Sequence, residues 1–212
     1  MHDFHRSGQG SPGLKAYLAQ QHWLYIATFA DGTTKVGTAS ERSKWSRLAD
    51  QGALVARYVA RAQDGAVVRH LEDAVSSSLP PTQFVRGAAK FAALLQPRPP
   101  LHLEQTNQAM ADVVREFVAE LTLEGFEPVD EQWERSALAE AVAQPSRRTA
   151  YPLALNSGTH GIRVDAMLGP VALTGLDDIE GAFLVDLGGL KGRKIRFGEF
   201  TTEVPALQES LF

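Results

Sequence analysis

The chain has 212 residues, of which 44% are hydrophobic and 22% charged, and it contains no cysteine. These proportions are typical of a folded globular protein and exclude collagen, a coiled coil and a wholly disordered chain. The lack of cysteine excludes disulfides, thiol catalysis and cysteine-ligated zinc or iron–sulfur centres. No stretch of the sequence approaches the roughly 20 apolar residues of a membrane span. The N-terminal residues lack the apolar core of a secretory signal, so the expected compartment is the cytoplasm.

The net charge of -4 is unevenly distributed along the chain. Residues 32–90 carry nine basic and five acidic side chains, so this segment has a net charge of +4 and the remainder -8. A cationic segment is typical of surfaces that bind phosphates or nucleic acids. The first half of the chain is therefore the place to look for such a site.

A β-hairpin is predicted near the N-terminus, after a flexible tail over residues 1–15 and a short helical stretch. Residues 23–29 are rich in aromatic and β-branched side chains, as expected for a strand. Asp31-Gly32 follows this run, and the strand pattern resumes at residue 33. An Asp-Gly pair between two such runs is a strong hairpin signal.

The loop length of this hairpin decides which side chains share a face of the sheet. A two-residue turn would pair Tyr25 with Thr38 and place Lys35 on the opposite face. A three-residue loop with Gly32 in the left-handed conformation would pair Tyr25 with Gly37 and place Lys35 on the same face as Tyr25. We predict the three-residue loop.

The following elements alternate between helix and strand up to a proline-rich linker. Each helix is indicated by apolar residues at helical spacing and by a glycine or proline stop. The predicted elements are a helix from residue 40 or 41 to Gly52, a strand over 54–61, a helix over 65–79 stopped by Pro80-Pro81, a helix over 85–95 and a linker at 97–100.

The second half is predicted to contain two helices and a small antiparallel β unit. The helices span residues 107–124 and 130–142, and the β unit includes strands at 171–173, 182–187 and 194–197. The apolar stripe of the first helix is expected to pack on the β unit, so that residues 101–212 share one core. The predicted fold class is thus α/β (α+β), with one domain over 16–96 and a helical connector plus β unit over 97–212.

Glu72 is the most informative single residue, because it lies on the apolar stripe formed by Val68 and Val75. A carboxylate on such a stripe must be paired, protonated or bound to a cation. Three interpretations remain open from the sequence. Glu72 is bonded to Arg69 one turn earlier, reaches water at the edge of the stripe, or faces a second base such as Arg47.

The order of these elements and residues resembles the GIY-YIG nuclease superfamily. Trp23-Leu-Tyr25 corresponds to the first motif and Lys35-Val-Gly37 to the second, and Arg47 and Glu72 match the superfamily's arginine and glutamate. Trp23 stands where the superfamily usually has glycine, and Lys35 stands where it has a second tyrosine. The segments 35–38, 46–53, 71–72, 82–86, 181–186 and 191–196 also resemble a divergent, uncharacterised bacterial family of this kind.

The resemblance implies a three-stranded antiparallel sheet flanked by helices and a metal-dependent nuclease acting on DNA or RNA. It implies that Glu72 holds one Mg²⁺ or Mn²⁺ ion and that Arg47 neutralises charge on the phosphate. Tyr25 would be the base or orient the water, Lys35 would supply a cation or contact the phosphate, and Gly37 would be a structural motif residue. The alternatives are a catalytically inactive nucleic-acid-binding module and a site for one small phosphorylated ligand.

Further basic residues are candidates for contacts to a nucleic-acid backbone, and no membrane partner is expected. A basic run beside Gly188-Gly189 suits a phosphate backbone, although such a run is also common in solvated hairpins. The candidates are Lys44, Arg69 and Arg86 in the first half and Lys191, Arg193, Lys194 and Arg196 near the C-terminus.

Overall fold

A computed structural model describes residues 11–80, 85–144, 148–176 and 179–202, except for the side chains of residues 179 and 180. Helix α1 (Pro12–Leu18) opens this part of the chain. The Ser11 side chain accepts a hydrogen bond from the Leu14 amide and Pro12 occupies the first helical turn, a combination that favours helix initiation. The short helical stretch predicted before the hairpin is thus present, and it begins at Pro12, within the segment predicted as a tail. Residues 1–10 of that segment lie outside the described ranges.

The predicted hairpin is confirmed, including its register. Strands β1 (His22–Thr28) and β2 (Thr34–Ser40) are antiparallel, and Tyr25 pairs with Gly37. The Phe29 amide donates to the Thr33 carbonyl, which leaves a three-residue loop in which Gly32 has φ of 86°. Lys35 is two residues from Gly37 and therefore points to the same face of the sheet as Tyr25.

Two more strands complete the first sheet. Strands β3 (Val55–Ala62) and β4 (Phe126–Gln132) extend it in the order β2-β1-β3-β4, with antiparallel neighbours throughout. The predicted three-stranded sheet is thus a four-stranded one. The predicted helix over 130–142 is wrong at its start, because residues up to Gln132 pair with β3 and the helix there covers only Ala137–Ala143.

Helices cover both faces of the first sheet. The face bearing Leu24 and Ile26 packs on helix α3 (Gly65–Ser78), and the face bearing Tyr25 packs on helix α2 (Lys44–Gln51) through Leu48. The Asp64 side chain caps the start of α3 by accepting from two backbone amides. The predicted helix after Pro80 is present as α4 (Gly87–Leu95).

The long helix α5 (Pro100–Ala119) packs in the hydrophobic core between the first sheet and α3, called here the first core. Its buried Val114 and Val118 pack with sheet and α3 residues, and the fully buried Asn107 donates to the Ile26 carbonyl over 3.1 Å. The prediction that this stripe packs on the C-terminal β unit is wrong, because the first sheet offers the apolar face that covers it. The first compact unit consequently extends to Arg135, beyond the boundary predicted at residue 97.

The second unit begins at Ser136 and contains the helix over Ala137–Ala143, named α6, and a second sheet. Its strands run in the order β5-β8-β7-β6, and β5 is parallel to β8 while the other neighbours are antiparallel. The strand predicted at 194–197 is wrong, because these residues lie in an exposed irregular segment. The strands are β5 (Thr149–Ala150), β6 (Arg163–Leu168), β7 (Val171–Leu176) and β8 (Ile179–Asp186).

The described chain is therefore a mixed α/β protein with two sheets, as the predicted fold class requires. Across the described ranges, no helix has the length and apolar character needed to cross a bilayer.

Candidate functional site

A cleft of about 530 Å³ opens on the first unit. Its walls come from α1, β1, β2, α2 and α3, so it gathers residues that are distant in the sequence. The residues predicted for the site all line this cleft: Tyr25, Lys35, Gly37, Arg47 and Glu72. Arg69, one of the predicted phosphate contacts, lines it as well. The central residues predicted from the sequence are thus brought together in one place.

Tyr25 is fully buried at the base of this arrangement. Burial raises the pKa of the Tyr25 phenol, because an ionised phenolate loses its hydration there. The positive charge of Arg47 and a hydrogen bond from Gln51 act in the opposite direction. The neutral phenol is therefore the resting form of Tyr25.

Gln51 is a residue of the site that was not predicted from the sequence. Its Nε2 atom donates to the Tyr25 hydroxyl oxygen over 2.6 Å, and Lys35 Nζ donates to its Oε1 atom over 2.7 Å. The sequence could have indicated Gln51, because it lies four residues after Arg47 and this spacing places both side chains on one face of α2. Gln51 connects two residues that the sequence had placed in the site separately.

Lys90 is a second missed residue, and it approaches Gln51 from α4. Its Nζ donates to the Gln51 carbonyl oxygen over 2.7 Å and lies 4.1 Å from the centroid of the Phe29 ring. Burial, together with the positive charges of Lys35 and Arg47, lowers the pKa of Lys90 to about 8. No local pattern predicts this contact, because it joins residues 39 positions apart.

Glu72 is paired within its own helix. Arg69 Nη1 lies 2.7 Å from Glu72 Oε2, and Arg69 Nη2 lies 3.0 Å from Asp73 Oδ1. Of the three interpretations open from the sequence, the bond to Arg69 is the one observed. Burial raises the pKa of the Glu72 carboxyl, and the charge and hydrogen bond of Arg69 oppose this rise.

The cleft offers few ligands for a metal ion. Glu72 and Asp50 are carboxylates that line it, and the described ranges contain no group of three or more histidine, aspartate or glutamate side chains suited to a metal. Mg²⁺ commonly uses one or two carboxylates and takes its other ligands from water and substrate phosphate. The residues fit such an ion, which would compete with Arg69 for Glu72 Oε2.

Lys44 does not belong to a nucleic-acid surface, and this prediction is wrong. Its side chain is 9% exposed, and its Nζ lies 2.7 Å from Glu131 Oε2 and 3.3 Å from the centroid of the Trp23 ring. A buried ammonium held by a carboxylate and aromatic faces is not available to a phosphate. Lys44 is a structural cation that ties the start of α2 to β4.

The other predicted phosphate contacts lie outside the residues that line the cleft. Arg86 is exposed and precedes the first residue of α4. Arg193 donates to the carbonyl oxygens of Gly189 and Asn156 over 3.0 and 3.3 Å. It belongs to an exposed basic segment of the second unit that also contains Lys191, Lys194 and Arg196.

Comparison with known proteins yields no match: no family model, no curated protein and no solved structure is significantly similar to this chain. The resemblance to GIY-YIG nucleases therefore stays a prediction from the sequence motifs.

Proposed function

We propose that the cleft of the first unit binds a nucleic acid and hydrolyses a phosphodiester bond in a metal-dependent reaction. The observation that carries this proposal is that Glu72 and Tyr25, the predicted metal ligand and the predicted water-orienting residue, line one cleft together with Arg47 and Lys35. A binding surface alone would not require the carboxylate and the phenol to share a cavity. The proposed partner is DNA or RNA, and the proposed compartment is the cytoplasm.

Each residue of the cleft has a role that its chemistry supports. Arg47 and Lys35 are basic side chains that, as cations, would hold the phosphate and offset charge that develops on it. Glu72 would hold the Mg²⁺ or Mn²⁺ ion, which when bound polarises a phosphoryl oxygen. Because burial raises the pKa of Tyr25, its neutral hydroxyl would orient water or a phosphate oxygen by hydrogen bonding.

A second function, binding of nucleic acid without hydrolysis, is favoured by one specific contact. The ion pair between Arg69 and Glu72 already neutralises the carboxylate that would bind the metal. In a binding module this pair would be purely structural, and Lys35 and Arg47 alone would hold the phosphate.

The test is cleavage of labelled single- and double-stranded DNA and RNA by the purified full chain with Mg²⁺ or Mn²⁺ at pH values near neutrality. We expect Glu72→Gln to reduce cleavage by roughly 10³-fold, the effect of removing a main electrostatic group from an active site. Asp73→Asn is the matched control. Asp73 is the adjacent carboxylate on α3 and pairs with the same Arg69, but it does not line the cleft.

The outcomes separate the two functions. Hydrolysis that survives Glu72→Gln would show that the metal role of Glu72 is wrong. Binding that weakens with salt, unaccompanied by hydrolysis and unchanged or strengthened by Glu72→Gln, would identify a binding module. If the folded chain neither binds nor cleaves these nucleic acids, both functions are wrong.

A further inference from the structure

The side-chain amide of Gln51 has a defined orientation. It donates through Nε2 to the Tyr25 oxygen and accepts through Oε1 from Lys35 Nζ, over 2.6 and 2.7 Å. An ammonium group carries donors only, so the oxygen of the amide must face Lys35. The NH₂ group is thereby turned to Tyr25, although the two ends of a glutamine amide are nearly indistinguishable by shape.

This orientation determines how the Tyr25 hydroxyl can be used. A phenol oxygen accepts hydrogen bonds and has a single hydrogen to donate. Gln51 uses the oxygen as an acceptor. Arg47, whose hydrogen bond also acts on Tyr25, is a donor in every interaction it makes. Neither Gln51 nor Arg47 takes the hydroxyl hydrogen. Because the buried Tyr25 borders the cleft, a phosphate oxygen that enters the cleft beside it is the acceptor to which this hydrogen can be given.

The backbone of Gln51 is held in place as well. Gln51 is the last residue of α2, and Gly52 ends the helix with φ of 73°. Lys90 Nζ donates to the Gln51 carbonyl oxygen, at a helix end where a cation is favoured by the helix dipole. Gln51 is thus anchored through both its backbone and its side chain.

We propose that Gln51 is a positioning residue that holds the Tyr25 hydroxyl so that its hydrogen is donated to a phosphate oxygen in the cleft. Lys35 sets the direction of the Gln51 amide, and Tyr25 makes the contact with the phosphate. This inference rests on the proposed function, because it requires a phosphate in the cleft.

The first arm of the test measures Tyr25 without any ligand. The full chain is labelled with ¹³C at the tyrosine ζ carbon, Tyr25→Phe assigns the signal, and the titration is recorded by NMR. Methionine is similar in length to glutamine but has no hydrogen-bond donor. In Gln51→Met, the pKa of Tyr25 should therefore rise further, because the phenolate loses a hydrogen bond. Gln108→Met is the control, since Gln108 donates to Asp112 within α5 and should leave the Tyr25 signal unchanged.

The second arm measures binding of a fluorescent single-stranded oligothymidylate with EDTA present, so that no cleavage occurs. We expect Gln51→Met to weaken binding roughly tenfold when Tyr25 is present, the effect of one lost hydrogen bond to a charged group. In the Tyr25→Phe background the same change should have a clearly smaller effect, because only the lost contact between Gln51 and Lys35 remains.

The two arms distinguish the inference from the function on which it rests. Equal losses in both backgrounds, or a Tyr25 pKa unchanged by Gln51→Met while binding is intact, would overturn the role of Gln51 alone. If the wild-type chain does not bind the oligothymidylate, the same measurement is made with double-stranded DNA and with RNA. If the chain binds none of them, the proposed function is wrong, and so is the donation to phosphate.

Discussion

The hydroxyl oxygen of Tyr25 lies only 2.5 Å from the position that a β-carbon on Gly37 would occupy. The ring of Tyr25 crosses its cross-strand partner, and only a residue without a side chain leaves it room. We expect Gly37→Ala to displace the ring and to lower the free energy of unfolding by about 1–3 kcal/mol, as overpacking of a filled site does. Thermal and denaturant unfolding of the two proteins measure this difference.

The control for Gly37→Ala is a glycine with open space around it. Gly87 begins α4, and a β-carbon there would have no neighbour within 4 Å. Gly87→Ala should therefore leave stability unchanged or raise it slightly, because alanine favours a helix over glycine. If both variants unfold like the wild type, the close contact between Tyr25 and Gly37 is wrong.

Glu72 should make the protein less stable as the pH rises, the opposite of the usual effect of a carboxylate. Burial raises the pKa of Glu72 in the folded state above its ordinary value of 4.5. The folded state therefore binds more protons than the unfolded state in the window above 4.5, and the contribution of Glu72 to stability is lost as pH rises through that window. Glu72→Gln, which mimics the protonated form, should gain stability relative to the wild type from pH 4 to pH 7.

Urea unfolding across this pH range measures the effect of Glu72→Gln. Asp73→Asn is the appropriate comparison, because Asp73 shares Arg69 but has an exposed side chain. A wild-type protein that is more stable than Glu72→Gln at pH 7 would show that the ion pair with Arg69 outweighs the burial of the carboxylate.

Lys44 should be important for stability and unimportant for binding. Lys44→Met removes the ammonium from the Trp23 ring and leaves Glu131 without its partner, so we expect a loss of about 1–3 kcal/mol in the free energy of unfolding. Lys15→Met, the same change at an exposed position of α1, should have little effect. Binding of oligothymidylate by folded Lys44→Met should equal that of the wild type, and a specific loss of affinity would restore Lys44 as a phosphate contact.

The domain boundary can be tested by truncation. A chain that ends at Arg135 retains α5 and β4 and should unfold cooperatively, because both elements complete the first core. A chain that ends at Gln96 lacks them and exposes the apolar sheet face that carries Ile26 and Val59. We expect the shorter chain to be unfolded or aggregated by circular dichroism and size-exclusion chromatography. Equal folding of both chains would support the boundary at residue 97.

Features that depend on neighbouring residues followed directly from the sequence. The hairpin register could be predicted because an Asp-Gly pair with Gly32 at positive φ restricts the loop to a few geometries. The position of Glu72 on an apolar stripe followed from helical periodicity alone, and its pairing with Arg69 one turn away was among the alternatives. These inferences involve groups separated by a few residues, for which backbone geometry limits the possible arrangements.

Other features were decided only by the tertiary structure. The apolar stripe of α5 required burial, but hydrophobic burial is non-directional and does not specify which surface provides it. Residues 126–132, four of which are polar, form a strand because the edge of β3 supplies hydrogen-bond partners that no local pattern reveals. The bridge through Gln51 likewise needed Tyr25 and Lys35 to be placed on one sheet face before α2 could bring an amide between them. The sequence alone determined which residues have charged and hydrogen-bonding side chains, and the packing of distant elements decided which of them meet.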